Sequence, residues 1–196
     1  MKKTVIGCGL AALLALGLAV LVLGGIYNNL VGLDEGVDAA WGQVENVYQR
    51  RADLVPNLVA TVKGAADFER ETLQAVVEAR AKVGQTQISG APTDQQLASF
   101  QANQDALSSA LSRLLVVVER YPDIKATANF RDLQVQLEGT ENRIAVERRR
   151  FNEAAQAYNA SRRKFPAVFV ANMMGFGEKP YFQADPGADE APRVEF

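Results

Sequence analysis

The sequence predicts an all-α protein: an N-terminal transmembrane helix, an up-and-down four-helix bundle, and an irregular tail rich in aromatic residues, Pro and Gly. Three observations predict it. An uncharged apolar run, Val5 to Ile26, opens the chain behind Lys2 and Lys3. Helical periodicity fills the polar sequence that follows, and no stretch alternates with the period of two expected of a half-buried strand. After Phe165 the periodicity stops and Pro and Gly recur. The expected boundaries are 1–26 for the anchor, 27–165 for the bundle and 166–196 for the tail.

The apolar run has about 22 residues and reaches ~33 Å as a helix, enough to cross a bilayer core. A cleaved signal peptide has a shorter apolar core, roughly 7–15 residues, so the uncleaved signal anchor is the favoured reading. Val5-Ile6-Gly7-Cys8 superficially matches a lipobox, but nearly all of the apolar segment follows the cysteine instead of preceding it. Lys2 and Lys3 precede the run and Asp34, Glu35 and Asp38 follow it, which by the positive-inside tendency keeps the N-terminus cytoplasmic and the domain outside. Gly7, Ala11, Ala15 and Ala19 recur every four residues and form a candidate stripe for close packing of two membrane helices.

About 170 residues follow the anchor, one domain's worth. The chain has no histidine and one cysteine. That excludes Ser-His-Asp and Cys-His catalysis, HExxH chemistry, Cys/His zinc sites and an internal disulfide. No Walker-type phosphate loop or GxGxxG motif is present. The chain is therefore read as a non-enzyme without cofactor or metal. Of 21 basic and 23 acidic residues, only Lys2 and Lys3 precede the anchor, so the domain is net acidic and has no general attraction to nucleic acid or to anionic lipid.

Segment one places Tyr27, Leu30, Val37, Trp41, Val44 and Tyr48 on one face, interrupted by Asp34. Segment two places Val55, Leu58, Val62 and Ala65 together, then Leu73, Val76 and Val77. Between the two, Pro56 suggests a reversal. Proline is tolerated in a first turn, and Asp53 would be the N-cap. An unbroken helix from Tyr27 to Val83 would reach roughly 85 Å and leave half its stripe unpartnered; split near Arg51 it gives two helices of about 40 Å. A three-helix bundle with one long kinked helix is the alternative. Thr93 and Gln96 form a capping box. Segment three then steps through Leu97, Phe100, Gln104, Leu107, Leu111, Leu114, Val118 and Tyr121, until Tyr121-Pro122 breaks it. Segment four runs through Ala126, Phe130, Leu133, Leu137, Thr140, Ile144, Glu147, Phe151, Ala154, Tyr158 and Phe165. Phe169, Phe176, Tyr181, Phe182 and Phe196 make the tail too aromatic for ordinary disorder, so these are candidate contacts to the bundle or a neighbour.

Glu138, Glu141, Arg143, Glu147 and Arg148 lie close together on segment four, and Glu147 and Thr140 fall on its apolar stripe. A buried carboxylate needs a partner, usually Arg. Arg51, on the stripe of segment one, or Arg50 beside it could supply that partner. These residues and Asp53 form the candidate polar cluster, read first as a buried group that fixes helix register and second as a binding or acid/base site. Arg148-Arg149-Arg150 and Arg162-Arg163-Lys164 invite a phosphate or lipid reading, but a solvated face is favoured.

Several strings carry a family resemblance over nearly the whole chain: Tyr27-Asn28-Asn29-Leu30, Arg50-Arg51-Ala52-Asp53-Leu54-Val55-Pro56-Asn57-Leu58-Val59, Leu137-Glu138-Gly139-Thr140-Glu141-Asn142-Arg143-Ile144, Phe151-Asn152, Tyr158-Asn159 and Phe165-Pro166. Together they resemble the LemA family of bacterial membrane-anchored proteins. The resemblance implies a membrane helix followed by an up-and-down four-helix bundle, and brings no catalytic residues. It also suggests a role in organising or shaping membrane. The expected partners are the bilayer through residues 5–26, further copies of the chain, and a membrane-protein partner. The competing expectation is an envelope enzyme or ligand-binding module built on the polar cluster.

Overall fold

The apolar run and the first part of the domain, through Lys63, lie on a single helix. In the computed structural model, which describes residues 2–64, 69–85, 88 and 90–183, α1 spans Lys2–Lys63. There follow α2 (Arg70–Gly84), α3 (Asp94–Val118), α4 (Pro122–Lys125), α5 (Ala128–Arg163) and α6 (Ala167–Met174). The described residues contain no strand. From Leu13 to Leu23 the large apolar side chains of α1 face outward, as in a helix made to meet lipid.

The expected reversal at Arg51–Pro56 does not occur. Pro56 sits inside α1, on its exposed face. A proline there leaves the carbonyl four residues back, that of Ala52, without its helical donor. Arg80 Nε of α2 donates to Ala52 O at 3.0 Å and fills the vacancy. Asp53 is consequently mid-helix and exposed, accepting from Gln49 Nε2 at 2.8 Å instead of capping anything. The chain leaves the helical path only after Lys63, and α2 then packs on α1. Neither the split near Arg51 nor a continuous helix to Val83 describes the path.

α1 and α5 run antiparallel: Asn29 bonds Ser161, Trp41 meets Phe151, and Arg51 meets Glu141. Two apolar cores lie between them. The core far from the membrane segment is mostly aliphatic: Leu54, Val55, Leu58 and Val62 of α1, Val76 of α2, Leu107, Leu111 and Leu114 of α3, and Phe130 and Leu137 of α5. The near core is aromatic: Val37, Trp41, Val44 and Tyr48 of α1, Leu97 and Phe100 of α3, Phe151 and Tyr158 of α5, and Phe182 of the tail. Trp41 makes edge contacts with Phe100 and Phe151 and stacks on Phe182.

α2 has only 15 residues and covers the far core alone. The near core is closed by the loop before α3 and by the tail. Gly90, at φ +73°, lets the loop pass beside Asp38, whose Oδ1 accepts from Ala91 N at 2.8 Å. α3 begins with the expected capping box, Thr93 Oγ1 accepting from Gln96 N and Gln96 Oε1 accepting from Thr93 N. α5 is capped by Thr127, whose hydroxyl accepts from Phe130 N.

The tail is not irregular throughout. α6 folds against Leu30 through Val170 and Ala171. Gly175, at φ +77°, ends it in the left-handed conformation, with Phe176 N donating back to Ala171 O at 3.0 Å. Residues 176–183 then run back along α5 as an extended strap.

Candidate functional site

Two polar arrangements stand out, and each is built from helix side chains. The first is a layer between the two cores. Arg51 follows the near-core residues of α1 and precedes the far-core ones, and Gln104 does the same on α3; on the antiparallel α5, Thr140 and Glu141 follow the far-core residues and precede the near-core ones. Arg51 is buried. Its Nη1 donates to Ser108 Oγ and to Glu141 Oε1, both at 2.7 Å. Its Nη2 donates to Gln104 Oε1 at 2.6 Å and Gln104 O at 3.2 Å. The guanidinium carbon lies 5.0 Å from the Tyr48 ring centroid, so the cation also meets an aromatic face. Burial pushes the Tyr48 phenol up, against the downward pull of Arg148 and Arg51. Thr140 Oγ1 turns inward and donates to Gln136 O in its own helix.

A buried guanidinium is costly unless its charge and donors are matched. Here one carboxylate balances the charge from the rim, since the Glu141 side chain is 46% exposed while that of Arg51 is 2% exposed. Both terminal nitrogens are engaged by the protein itself. The layer joins α1, α3 and α5 at one height.

The other members of the expected cluster do not converge on it. Arg50 and Arg143 are exposed. Glu138 is exposed and accepts from Gln134 Nε2. Glu147 is half-buried and pairs with Arg150 at 2.8 Å, not with Arg51. Of the eight residues, only Arg51 and Glu141 meet.

The second arrangement holds the strap. Asn159 donates to Lys179 O at 2.8 Å and accepts from Lys179 N at 2.9 Å. Asn152 does the same for Phe182, at 3.1 and 2.8 Å. The two amides act as substitute backbone for an extended segment that has no strand beside it among the described residues. The spacing explains why two suffice: seven helical residues span ~10.5 Å and three extended residues ~10 Å. Arg162 Nε donates to Phe176 O at 2.7 Å, Tyr158 Oη to Gly177 O at 2.9 Å, and Arg148 Nη2 to Gln183 O at 3.1 Å. Arg148 and Arg162 are therefore strap clamps, not parts of a freely solvated face; Arg148 also lies over the Phe182 ring. Lys179 Nζ reaches Asp34 Oδ1 at 2.6 Å, which accounts for the acid that interrupts the apolar face of α1.

Of the expected tail contacts, Phe182 is buried and Phe176 half-buried, with its ring against Tyr27. Tyr181 keeps its ring partly exposed while its hydroxyl accepts from Asn159 Nδ2 at 3.0 Å. Phe169 does not pack on the bundle; it is 65% exposed. Phe196 lies outside the described residues, as do the side chains at Gly7 and Ala11, whereas Ala15 and Ala19 line the exposed part of α1.

Two open clefts flank the strap. One, of about 420 Å³, is bordered by Tyr27, Asp34, Tyr158, Phe176 and Lys179. The other, of about 490 Å³, lies against α3 beside Leu97, Gln101 and Tyr181. Neither borders the Arg51 layer. No group of three acidic or Cys side chains poised to hold a metal occurs among the described residues.

A family model described as the LemA family matches residues 40–196. Magnetosome protein MamQ 2 of Paramagnetospirillum magneticum is 28% identical over 182 residues, covering 83% of this chain and 66% of that protein. Magnetosome protein MamQ of Magnetospirillum gryphiswaldense is 26% identical over 181 residues, again 83% of this chain and 66% of the relative. Protein LemA of Metamycoplasma hominis is 22% identical over 173 residues, 88% of this chain and 75% of that protein. The chain thus spans a little under two thirds of the length of the magnetosome relatives.

Proposed function

The chain belongs to the LemA family, and from that premise we propose a membrane-anchored, non-enzymatic scaffold that self-associates and organises the membrane around it. The observation that carries this reading is the continuity of α1. One helix supplies the outward-facing apolar span and then contributes to both cores. No loop uncouples anchor from domain, so the domain holds a fixed attitude to the membrane helix. That suits a structural element better than an enzyme on a tether.

The proposed topology is single-pass, with the N-terminus in the cytoplasm and the domain in the periplasm or on the outer side of a bacterial cell membrane. Lys2 and Lys3 against Asp34, Glu35 and Asp38 support it. The domain is read as a four-helix bundle made by α1 beyond Tyr27, α2, α3 and α5. The proposed partners are further copies of the chain, or another membrane protein, with Ala15 and Ala19 on the outward side of the membrane helix. The enzyme or ligand-site reading needs Glu138, Glu141 and Glu147 together, and their separate pairings weigh against it.

Mass measurement of the full chain in mild detergent tests self-association. Multiples of the 21.3 kDa protomer are expected, and a monomer at all concentrations overturns it. A reporter fused after Phe196 should be active only outside the cytoplasm; activity inside reverses the topology.

A further inference from the structure

We propose that α6 is a membrane-surface helix, seated with its free apolar face in the headgroup layer of the same bilayer that α1 crosses. Its inner face is spoken for: Val170 and Ala171 are buried against α1, and Ala167 is buried too. Opposite that face it presents Phe169 (65% exposed) and Met173 (71%), with Phe165 (82%) just before it. The Phe165 and Phe169 rings touch edge to face at 5.9 Å. Elsewhere in the domain the large exposed aliphatic side chains, Val77, Val116 and Val135, lie scattered on three different helices. Among the described residues of the domain, only here do several gather within ten residues, in a segment too apolar to favour water.

The position of α6 on α1 supplies the occupant. α6 packs on Leu30 and Ile26, one helical turn apart, and Ile26 ends the apolar run. One turn is ~5.4 Å, and the polar layer on each side of a bilayer core is about 5–7 Å deep. α6 is therefore confined to the headgroup level whenever α1 is inserted. Its surroundings suit that depth. Tyr27, immediately past the apolar run, is 41% exposed, and Arg163 and Lys164 are exposed at the turn into α6. Aromatic and basic side chains are the residues that settle at this boundary. The inference rests on the reading of α1 as membrane-inserted.

The test uses the full chain carrying Trp41→Phe and Phe169→Trp, reconstituted in phosphatidylethanolamine/phosphatidylglycerol vesicles doped with lipid brominated high on the acyl chain. Flotation reports α1 independently of α6. In vesicles that float with protein, the indole introduced at 169 should be quenched by bromolipid at least twofold more than Trp41 of the unaltered chain, which lies ~22 Å further along α1. It should also be shielded from aqueous iodide. Met173→Trp in the same background should behave alike and guards against a local effect of one substitution. Quenching by iodide but not by bromolipid overturns the proposal. So does shielding from both, which would mean that a second protein surface covers the face. Failure to float removes the anchor reading and this inference with it.

Discussion

The two cores of the domain differ in both chemistry and enclosure. The far core is built chiefly of Leu and Val and is closed by a helix, α2. The near core is built around Trp41, Tyr48, Phe100, Phe151 and Tyr158 and is closed by a strap that inserts Phe182. A helix satisfies its own backbone and can cover an apolar surface with side chains alone. A strap cannot, and each of its buried polar groups needs an outside partner. Asn152, Asn159, Tyr158, Arg148 and Arg162 supply those partners. In the near core Tyr158 serves both apolar packing and strap anchorage, and polar side chains beside the core complete the anchorage.

The largest expected effect sharpens that contrast. Trp41→Ala removes the ring that Phe100, Phe151 and Phe182 all contact, and should destabilise the domain by about 3–5 kcal/mol in denaturant unfolding. Hydrogen exchange should show protection lost first between residues 37 and 48, with Leu58 and Leu114 less affected; equal loss in both halves would mean that the Arg51 layer does not partition stability.

Next in size is the strap. Asn159 is fully buried and engaged on both sides of its amide, so Asn159→Ala should cost about 2–3 kcal/mol by stranding the Lys179 N–H and C=O. Asn152→Ala, at a less buried position, should cost about 1–2 kcal/mol. If Asn159→Asp matched the unaltered protein in thermal unfolding, the substitute-backbone account would fail, because a carboxylate cannot donate to Lys179 O.

A smaller effect tests the far core's helix. Arg80→Ala should cost about 1 kcal/mol by exposing the unmet Ala52 carbonyl. In a Pro56→Ala background the helix restores its own donor to Ala52, so the same Arg80→Ala change should cost only a few tenths of that. A double-mutant cycle measures the difference, and additivity of the two changes would break the account. The smallest effect is at Asp53. An exposed mid-helix residue bonded to Gln49 should tolerate Asp53→Ala within about 0.5 kcal/mol by thermal unfolding.

The fold was most legible where local rules sufficed. In α3 the residues from Leu97 to Val118 named on the stripe are buried, and the Thr93–Gln96 box is formed. Periodicity and capping involve contacts within one turn, so the sequence displays them. Pro56 misled because its compensation comes from Arg80, on another helix, and no local rule encodes that. In the near half, Trp41 and Phe151 were legible as core. Asn152 and Asn159 were not, since amides on a helix read as surface. Their seven-residue spacing was the available signal, but it gains meaning only beside an extended chain. In the polar layer, Gln104 on an apolar stripe and Arg51 on another were visible as anomalies, whereas the choice of Glu141 over Glu147 depended on rotation of α5 about its axis. Val77, expected on the stripe, is exposed because α2 starts a new helical phase after the turn.

The unbroken length of α1 makes the protein a pointer. Thirty-seven residues of it stand beyond Ile26, an arm of ~55 Å whose angle, with α1 inserted as proposed, is inherited from the apolar segment. A tilt of about 20°, ordinary for a spanning helix, carries its far end sideways by about 19 Å. Membrane helices tilt in response to bilayer thickness. With α1 inserted as proposed, local thinning or thickening would thereby become a lateral displacement of the far core.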